Sequence, residues 1–309
     1  KLRRKTRTIK NQKQEITMAE FIALLSKFVP LGLVIIMFGM GLALTINDFK
    51  RVFVFPKASL GGLAGQMLLL PAIGFATVEM FNLSGEIAVG VIVLVTCAGG
   101  ATSNLFSYLA RADTALSVTL TAASSVLIVI TLPIIVNLAL KTYLNTEAEL
   151  SLPVWNTVKT LSMMTIVPVI VGMALAAKYP SQVNQLEPWM RKLSLLVLGL
   201  IVLPTLVNAP NTVQGHLGSL VPAMFFVNLI SMIAGYTIAR VLKLNQAQTR
   251  TLTIEVGVQN VVTGFFVVTT LLHNAQLAVP AAIYSIPMLL NVVLYILWGR
   301  LRNRSERIN

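Results

Sequence analysis

Residues 91–113 read VIVLVTCAGGATSNLFSYLARAD, and residues 251–274 read TLTIEVGVQNVVTGFFVVTTLLHN. Each stretch begins apolar, is interrupted near its middle, and becomes apolar again. Gly99-Gly100 and Ser103-Asn104 interrupt the first, while Gly257 and Gln259-Asn260 interrupt the second. The second also carries a glutamate, Glu255, inside its apolar half. What these breaks mean depends on the solvent around them.

The chain has 309 residues, of which 56% are hydrophobic and 11% charged, and its mean hydropathy is +0.80. A soluble domain carries about a quarter charged residues. Here the charges sit in short polar breaks between apolar runs long enough to cross a hydrocarbon core of roughly 30 Å. An all-α polytopic membrane protein is therefore expected. Nine spans are predicted, at about 21–46, 57–81, 86–110, 114–141, 154–177, 188–208, 219–242, 248–272 and 277–299. Pro71, Pro133, Pro168, Pro204 and Pro287 fall inside them as packing kinks, which membrane helices tolerate.

The net charge of +13 does not point to nucleic acid, because the basic residues are scattered at segment ends. The lone Cys97 excludes a disulfide framework, and His216 and His273 are too far apart in sequence to suggest metal chemistry. An intramembrane hydrolase needs a nucleophile with a base, and no Ser/His or paired Asp arrangement lies within the spans. A channel would show rings of charge or a repeated filter. No enzyme is expected, and nothing indicates an obligate protein partner.

The positive residues also orient the chain. One side collects Lys50, Arg51 and Lys57, then Arg111, Lys178, Arg191, Lys192, Arg240, Lys243, Arg250 and Arg300. Positive loops stay in the cytoplasm, so the C-terminus with its basic tail, 301–309, is expected there. The basic segment 1–17 runs against this nine-span orientation and is read as a remnant, or as following a helix absent from this chain.

The two interrupted spans are third and eighth of nine. With one helix missing at the front they take the same position in two five-helix halves, 18–142 and 143–300, with breaks around 97–104 and 255–260. Gln66 and Asn228, each a lone amide one span before a break, form a second pair. Interrupted helices in corresponding halves are the best pointer in sequence to an inverted-repeat secondary transporter. Freed carbonyls at such breaks coordinate cations, and half-helix N-termini attract anions.

Glu255 is the one acid placed deep in the membrane. An acid at the centre of a span costs at least about 2.5–3.5 kcal/mol on insertion scales, so it needs a partner. No Lys or Arg lies at matching depth, which leaves Na⁺ or a proton. Hard cations want several oxygen ligands, and Gln66, Ser103, Asn104, Ser117, Thr121, Gln259 and carbonyls near Val256 and Val258 supply candidates. Ser117 and Thr121, four residues apart, share a helix face. These neutral oxygens favour Na⁺ over a proton.

At these residues a family is discernible. GGATSNLFSYLARADTALSVTLT (99–121) and LTIEVGVQN (252–260), with IMFGMGLAL (36–44) and EIAVGVIVLV (86–95), resemble the bile acid:sodium symporter family, which includes bacterial homologues of the bile acid carriers. The resemblance runs from about Phe28 to Arg300. It implies a panel domain and a core domain in which two broken helices cross. It further implies two coupling Na⁺ ions: one held by Ser103, Asn104, Ser117, Thr121 and Glu255, the other by Gln66, Glu255, Val256, Val258 and Gln259. Ala101, Thr102 and Asn260 would face the solute.

Three departures touch the solute side and spare the ion ligands. Ala98 precedes the glycines where many bacterial members have proline. Val261 and Val262 follow Gln259-Asn260 where those members often have serine and glycine. YSIPMLLN (284–291) replaces a tryptophan-histidine-asparagine motif. The expected activity is Na⁺-coupled import of an organic anion, bile-acid-like, pantoate-like or another carboxylate, by alternating access in a lipid bilayer. A bacterial inner membrane is expected. The rival is a proton-coupled or uncoupled carrier of the same architecture, with Glu255 as its proton site.

Overall fold

Apolar runs of this length have to close their hydrogen bonds internally, and helices do so within one segment. The structure is a computed structural model that describes residues 27–144, 151–212 and 216–305. The basic segment 1–17 and the last four residues of the tail lie outside the described residues. In chain order the helices are α1 (Lys27–Leu42), α2 (Ile46–Val54), α3 (Pro56–Met80) and α4 (Gly85–Thr96). Next come α5 (Ala101–Leu109), α6 (Thr114–Leu144), α7 (Val154–Lys178) and α8 (Pro180–Thr212). The last four are α9 (Leu217–Val241), α10 (Gln246–Gly257), α11 (Val261–Leu271) and α12 (Val279–Ser305).

Among the described residues, six helices are long and apolar enough to cross a membrane: α3, α6, α7, α8, α9 and α12. Their outer faces carry Leu193, Leu196, Leu200, Leu203 and Val207 on α8 and Ile130, Ile134 and Leu138 on α6, all exposed. Contiguous apolar surface of this kind is stable only against lipid. The chain is an integral membrane protein.

The first predicted span, 21–46, is followed by a sharp turn into a further helix. It stops at Leu42, and α2 leaves at 70°. The cause is local: the Asp48 carboxylate accepts from both the N–H and the hydroxyl of Thr45, each at 2.7 Å, and starts a new helix there. In α3 and α7 the prolines are accommodated by a widened turn. Gly65–Leu69 precedes Pro71, and Ser162–Ile166 precedes Pro168. Such π-type turns relieve the clash between a proline ring and the carbonyl four residues back.

The two interrupted segments are true breaks. At 1.5 Å per residue, α4 and α10 are each only about 18 Å long, too short to cross alone. Residues Ile87 to Thr96 of α4 are all buried. From Thr251 to its end α10 is buried too, although its sequence is rich in Thr and Gln. Polar helices of this kind survive only when enclosed by protein. Gly235 lets α9 pack directly on α10, since a Cβ there would lie 2.3 Å from the Leu252 carbonyl oxygen.

One end of the bundle gathers the basic turns. Arg250 and Arg300 donate to the Ala110 and Leu109 carbonyls, both at 3.2 Å, and neutralise the C-terminal end of α5. At the opposite end, Asn274 donates to Glu86 at 2.6 Å and Tyr143 to Glu79 at 2.9 Å.

Candidate functional site

The chain between α4 and α5 and the chain between α10 and α11 meet in the interior. Ala98 and Gln259 form an isolated antiparallel bridge, and the Asn260 N–H donates to the Cys97 carbonyl at 2.7 Å. Two extended segments thus satisfy one another where no helix could. Gly99 makes the first break possible. Its φ is +69°, and a Cβ there would sit 2.6 Å from Ser124 Oγ.

Helix α10 ends at this crossing; Ile254 O keeps the last i+4 bond, from the Val258 N–H at 2.9 Å, and the three carbonyls after it have no such partner. Each of these finds another donor. Glu255 O accepts from Gln66 Nε2 at 2.9 Å. Val256 O accepts from Gln259 Nε2 at 3.0 Å. Gly257 O accepts from both Asn228 Nδ2 and Tyr284 Oη at 2.8 Å. Asn291 then donates to Asn228 Oδ1 at 2.8 Å and holds that amide in place. Asn228 is therefore glue between helices, as its lone polar character suggests. Tyr284 was not foreseen as its partner, because nothing in sequence links it to Gly257.

The Glu255 carboxylate lies in the same turn, completely buried. Ser117 Oγ donates to Oε1 at 2.5 Å, and Thr121 Oγ1 donates to Oε2 at 3.3 Å. Asn104 Oδ1 lies 2.8 Å from Ser117 Oγ and 3.3 Å from Thr121 Oγ1. Ser103 Oγ lies 3.3 Å from Thr121 Oγ1 and donates to Gly100 O at 2.8 Å. The structure thus brings all five residues of the first predicted ion set into contact. Ser117 and Thr121 project from α6, Ser103 and Asn104 from α5, and Glu255 from α10.

Of the second set, Gln66 reaches Glu255 Oε2 at 3.5 Å as well as its carbonyl. Gln259 bonds back to Val256, and Val258 is in extended backbone just past the helix end. Gln66 Oε1 and Gln259 Oε1 are buried with no hydrogen-bond partner among the described residues. An unsatisfied buried acceptor costs about 1–3 kcal/mol; one of these belongs to the amide that contacts the carboxylate, the other to the amide that bonds to the carbonyl of the next residue, Val256. The ion pairs among the described residues are Arg51–Asp48 and Arg191–Glu187, so no basic group compensates Glu255. A buried carboxylate without a counter-charge is costly by several kcal/mol. The site is a cluster of oxygens gathered around one buried carboxylate.

Asn104, which is half-buried, also faces open space. It lines a cavity of about 500 Å³ with Thr102 and Tyr108 on one side and Gly39, Met40, Glu187, Arg191 and Ser194 on the other. A narrow extension of about 40 Å³, sharing Thr102 and Ser194, reaches Asn260, Val261 and Val262. Of the three residues expected on the solute side, Thr102 and Asn260 line this space, and Ala101 is the first residue of α5. Asn260 Oδ1 caps α11 by accepting from the Thr263 N–H at 3.1 Å. Helix α5 has no side-chain cap.

Comparison with known proteins gives this arrangement its context. Residues 30–215 match the family described as the Sodium Bile acid symporter family. The chain belongs to the sodium bile acid symporter family. It is 32% identical over 268 residues to an uncharacterized sodium-dependent transporter, YocS, of Bacillus subtilis (strain 168), covering 85% of this chain and 79% of that one. It is 31% identical over 270 residues to a probable sodium/metabolite cotransporter, BASS1, chloroplastic, of Arabidopsis thaliana, covering 87% of this chain and 66% of the relative. Sodium/bile acid cotransporter 4 of Mus musculus is 30% identical over 243 residues, 77% of this chain and 54% of the relative. The chain thus spans just under two thirds of the plant relative and about half of the mouse one. Membership in this family agrees with a polytopic, all-helical membrane protein.

Proposed function

We propose that this chain is a Na⁺-coupled symporter that imports an organic anion by alternating access. The observation that carries the reading is Glu255: a buried carboxylate with no basic partner among the described residues, ringed by neutral oxygens on three helices. One Na⁺ takes Ser103, Asn104, Ser117, Thr121 and Glu255. A second takes Gln66, Gln259, Glu255 and the carbonyls of Val256 and Val258. Hard cations bind such oxygen sets, and the two orphaned amide oxygens of Gln66 and Gln259 support a ligand at the second position.

The anion sits in the cavity lined by Thr102 and Asn260, where α5 begins at Ala101. The N-terminus of α5, which has no side-chain cap, favours an anion there through its dipole, and Arg191 supplies a positive charge at the rim. Asn104 belongs to the ion cluster and to the cavity wall, so Na⁺ shapes the surface that the anion meets. Two Na⁺ with a monovalent anion carry net positive charge inward, and transport is electrogenic. We read 18–142 and 143–300 as inverted repeats whose broken helices form the moving core. We place the chain in a bacterial inner membrane with its C-terminus in the cytoplasm, since the basic turns gather at one end.

The test is the melting temperature of detergent-purified protein in Na⁺ against matched K⁺ or choline. A ligand that binds only the folded state raises apparent stability by mass action. The reading expects a Na⁺-specific rise that disappears in Glu255→Ala. A shift with pH instead, with no Na⁺ effect, transfers the site to proton coupling.

A further inference from the structure

One carbonyl in the last turn of α10 takes two donors. Gly257 O accepts from Asn228 Nδ2 and from Tyr284 Oη, each at 2.8 Å, and the Asn228 amide also donates to Tyr284 Oη at 3.0 Å. The three groups close a triangle between α9, α10 and α12, in which Asn228 and Tyr284 are completely buried. Asn291, half-buried on α12, donates to Asn228 Oδ1 at 2.8 Å, so both ends of that amide are engaged. The turn is also pressed against α9: a Cβ on Gly257 would lie 2.3 Å from Met232 Cγ.

This triangle fixes one peptide plane. The Gly257 carbonyl and the Val258 N–H belong to the same planar unit, and the Val258 N–H donates to Ile254 O at 2.9 Å. The unit is therefore held at both ends. Its neighbours on either side carry the carbonyls of Val256 and Val258, the main-chain ligands of the second Na⁺ in the Na⁺-coupled reading. A carbonyl has two lone pairs, and the Gly257 oxygen spends both on protein donors, leaving none for an ion. With that plane fixed, the flanking carbonyls have only their own torsions left to aim with. Asn228 alone would leave Gly257 O a free lone pair and its own second N–H without an acceptor, so the Tyr284 hydroxyl completes the hold.

We propose, resting on the Na⁺-coupled reading, that Tyr284 with Asn228 positions the second Na⁺ site. Neither side chain touches the ion. Together they withdraw the Gly257 carbonyl from coordination and hold the carbonyls of Val256 and Val258 ready for a hard cation. Ligands set in place before the ion arrives lower the ordering cost of binding.

The test is equilibrium binding of radiolabelled Na⁺ to the full chain in detergent, at one temperature below the melt of the parent and of each variant. Tyr284→Phe removes the hydroxyl and keeps the ring. It is expected to raise the half-saturating Na⁺ concentration of one of the two ions by roughly three- to tenfold, the worth of about one hydrogen bond. Ser231→Ala also removes a buried hydroxyl from α9, but one that bonds within its own helix, to Val227 O at 2.6 Å, and it should bind like the parent. A general loosening of the packing moves both variants together, whereas loss of positioning moves Tyr284→Phe alone. Parent-like affinity in Tyr284→Phe, or an equal loss in Ser231→Ala, overturns the proposal and leaves the Na⁺ reading standing. If the parent itself binds no Na⁺, both fall. Should Tyr284→Phe not fold, Asn291→Ala, which frees the Asn228 amide, takes its place: weaker binding supports the proposal, and parent-like binding overturns it.

Discussion

The amide of Gln66 donates to the main-chain oxygen of Glu255 at 2.9 Å, across 189 residues of sequence. One side chain of α3 thereby caps the last turn of α10 while its own oxygen stays without a partner. Stability and ion chemistry meet in this contact, because the turn that must be capped also carries the carboxylate.

Removing the carboxylate should separate these roles. In Glu255→Gln one of the two hydroxyl donors, Ser117 or Thr121, keeps an acceptor oxygen while the other faces an N–H, and the charge is gone. We expect Na⁺-stimulated uptake to fall by about tenfold or more, as charge-assisted contacts are worth roughly 1.5–3 kcal/mol. The check is uptake in proteoliposomes under a Na⁺ gradient. Unchanged Na⁺-driven uptake in this variant would remove the carboxylate from the ion site.

Gln66→Ala and Ser117→Ala should weaken apparent Na⁺ affinity, each by about three- to thirtyfold, the range of roughly 1 ± 0.5 kcal/mol extended by the charge on Glu255. Gln66→Ala should also lower the melting temperature without Na⁺, because the Glu255 carbonyl loses its donor. Na⁺ titrations of melting temperature measure both effects in one series.

Tyr284→Phe and Asn228→Ala test the cap on Gly257. Tyr284→Phe leaves Asn228 bonded to the same carbonyl, so it should cost only about 1 kcal/mol. Asn228→Ala also strands the Asn291 amide and leaves a void, and should cost more. The order of the two in thermal or denaturant unfolding is the outcome to check.

Gly99→Ala should be strongly destabilising, since it combines a left-handed backbone with a contact of 2.6 Å to Ser124 Oγ. Adding Ser124→Ala removes that oxygen. We expect partial rescue of folded yield, leaving a backbone strain of about 1–2 kcal/mol. No rescue would mean that the φ angle alone sets the requirement.

Arg191→Gln should raise the KM for the anion while leaving the Na⁺-dependent melting shift intact. Glu187, on the same helix one turn before, is its ion-pair partner and competes with the anion for it. Glu187→Gln should therefore lower the KM. Concentration series of a labelled organic anion in the two variants give the comparison.

Much of this was legible in the sequence for one physical reason: the membrane forbids unpaired backbone and uncompensated charge. Long apolar runs had to be helices. Glycines and amides inside them had to be breaks enclosed by protein, and Glu255 had to have oxygen neighbours. Local chemistry was enough for these inferences, aided by the family resemblance of 99–121 and 252–260. What only the tertiary structure decided are contacts between residues far apart in the chain. The bond from Asn260 to Cys97, the donors that meet the last three carbonyls of α10, and the partnership of Asn228 with Tyr284 depend on how the helices cross. So does the cavity that joins Thr102 and Asn104 to Arg191 on α8. The 70° turn after Leu42 was hidden differently: Thr45-Ile-Asn-Asp-Phe-Lys-Arg51 reads as a polar break between spans, and only the folded backbone shows the bond of Thr45 with Asp48 starting another helix there.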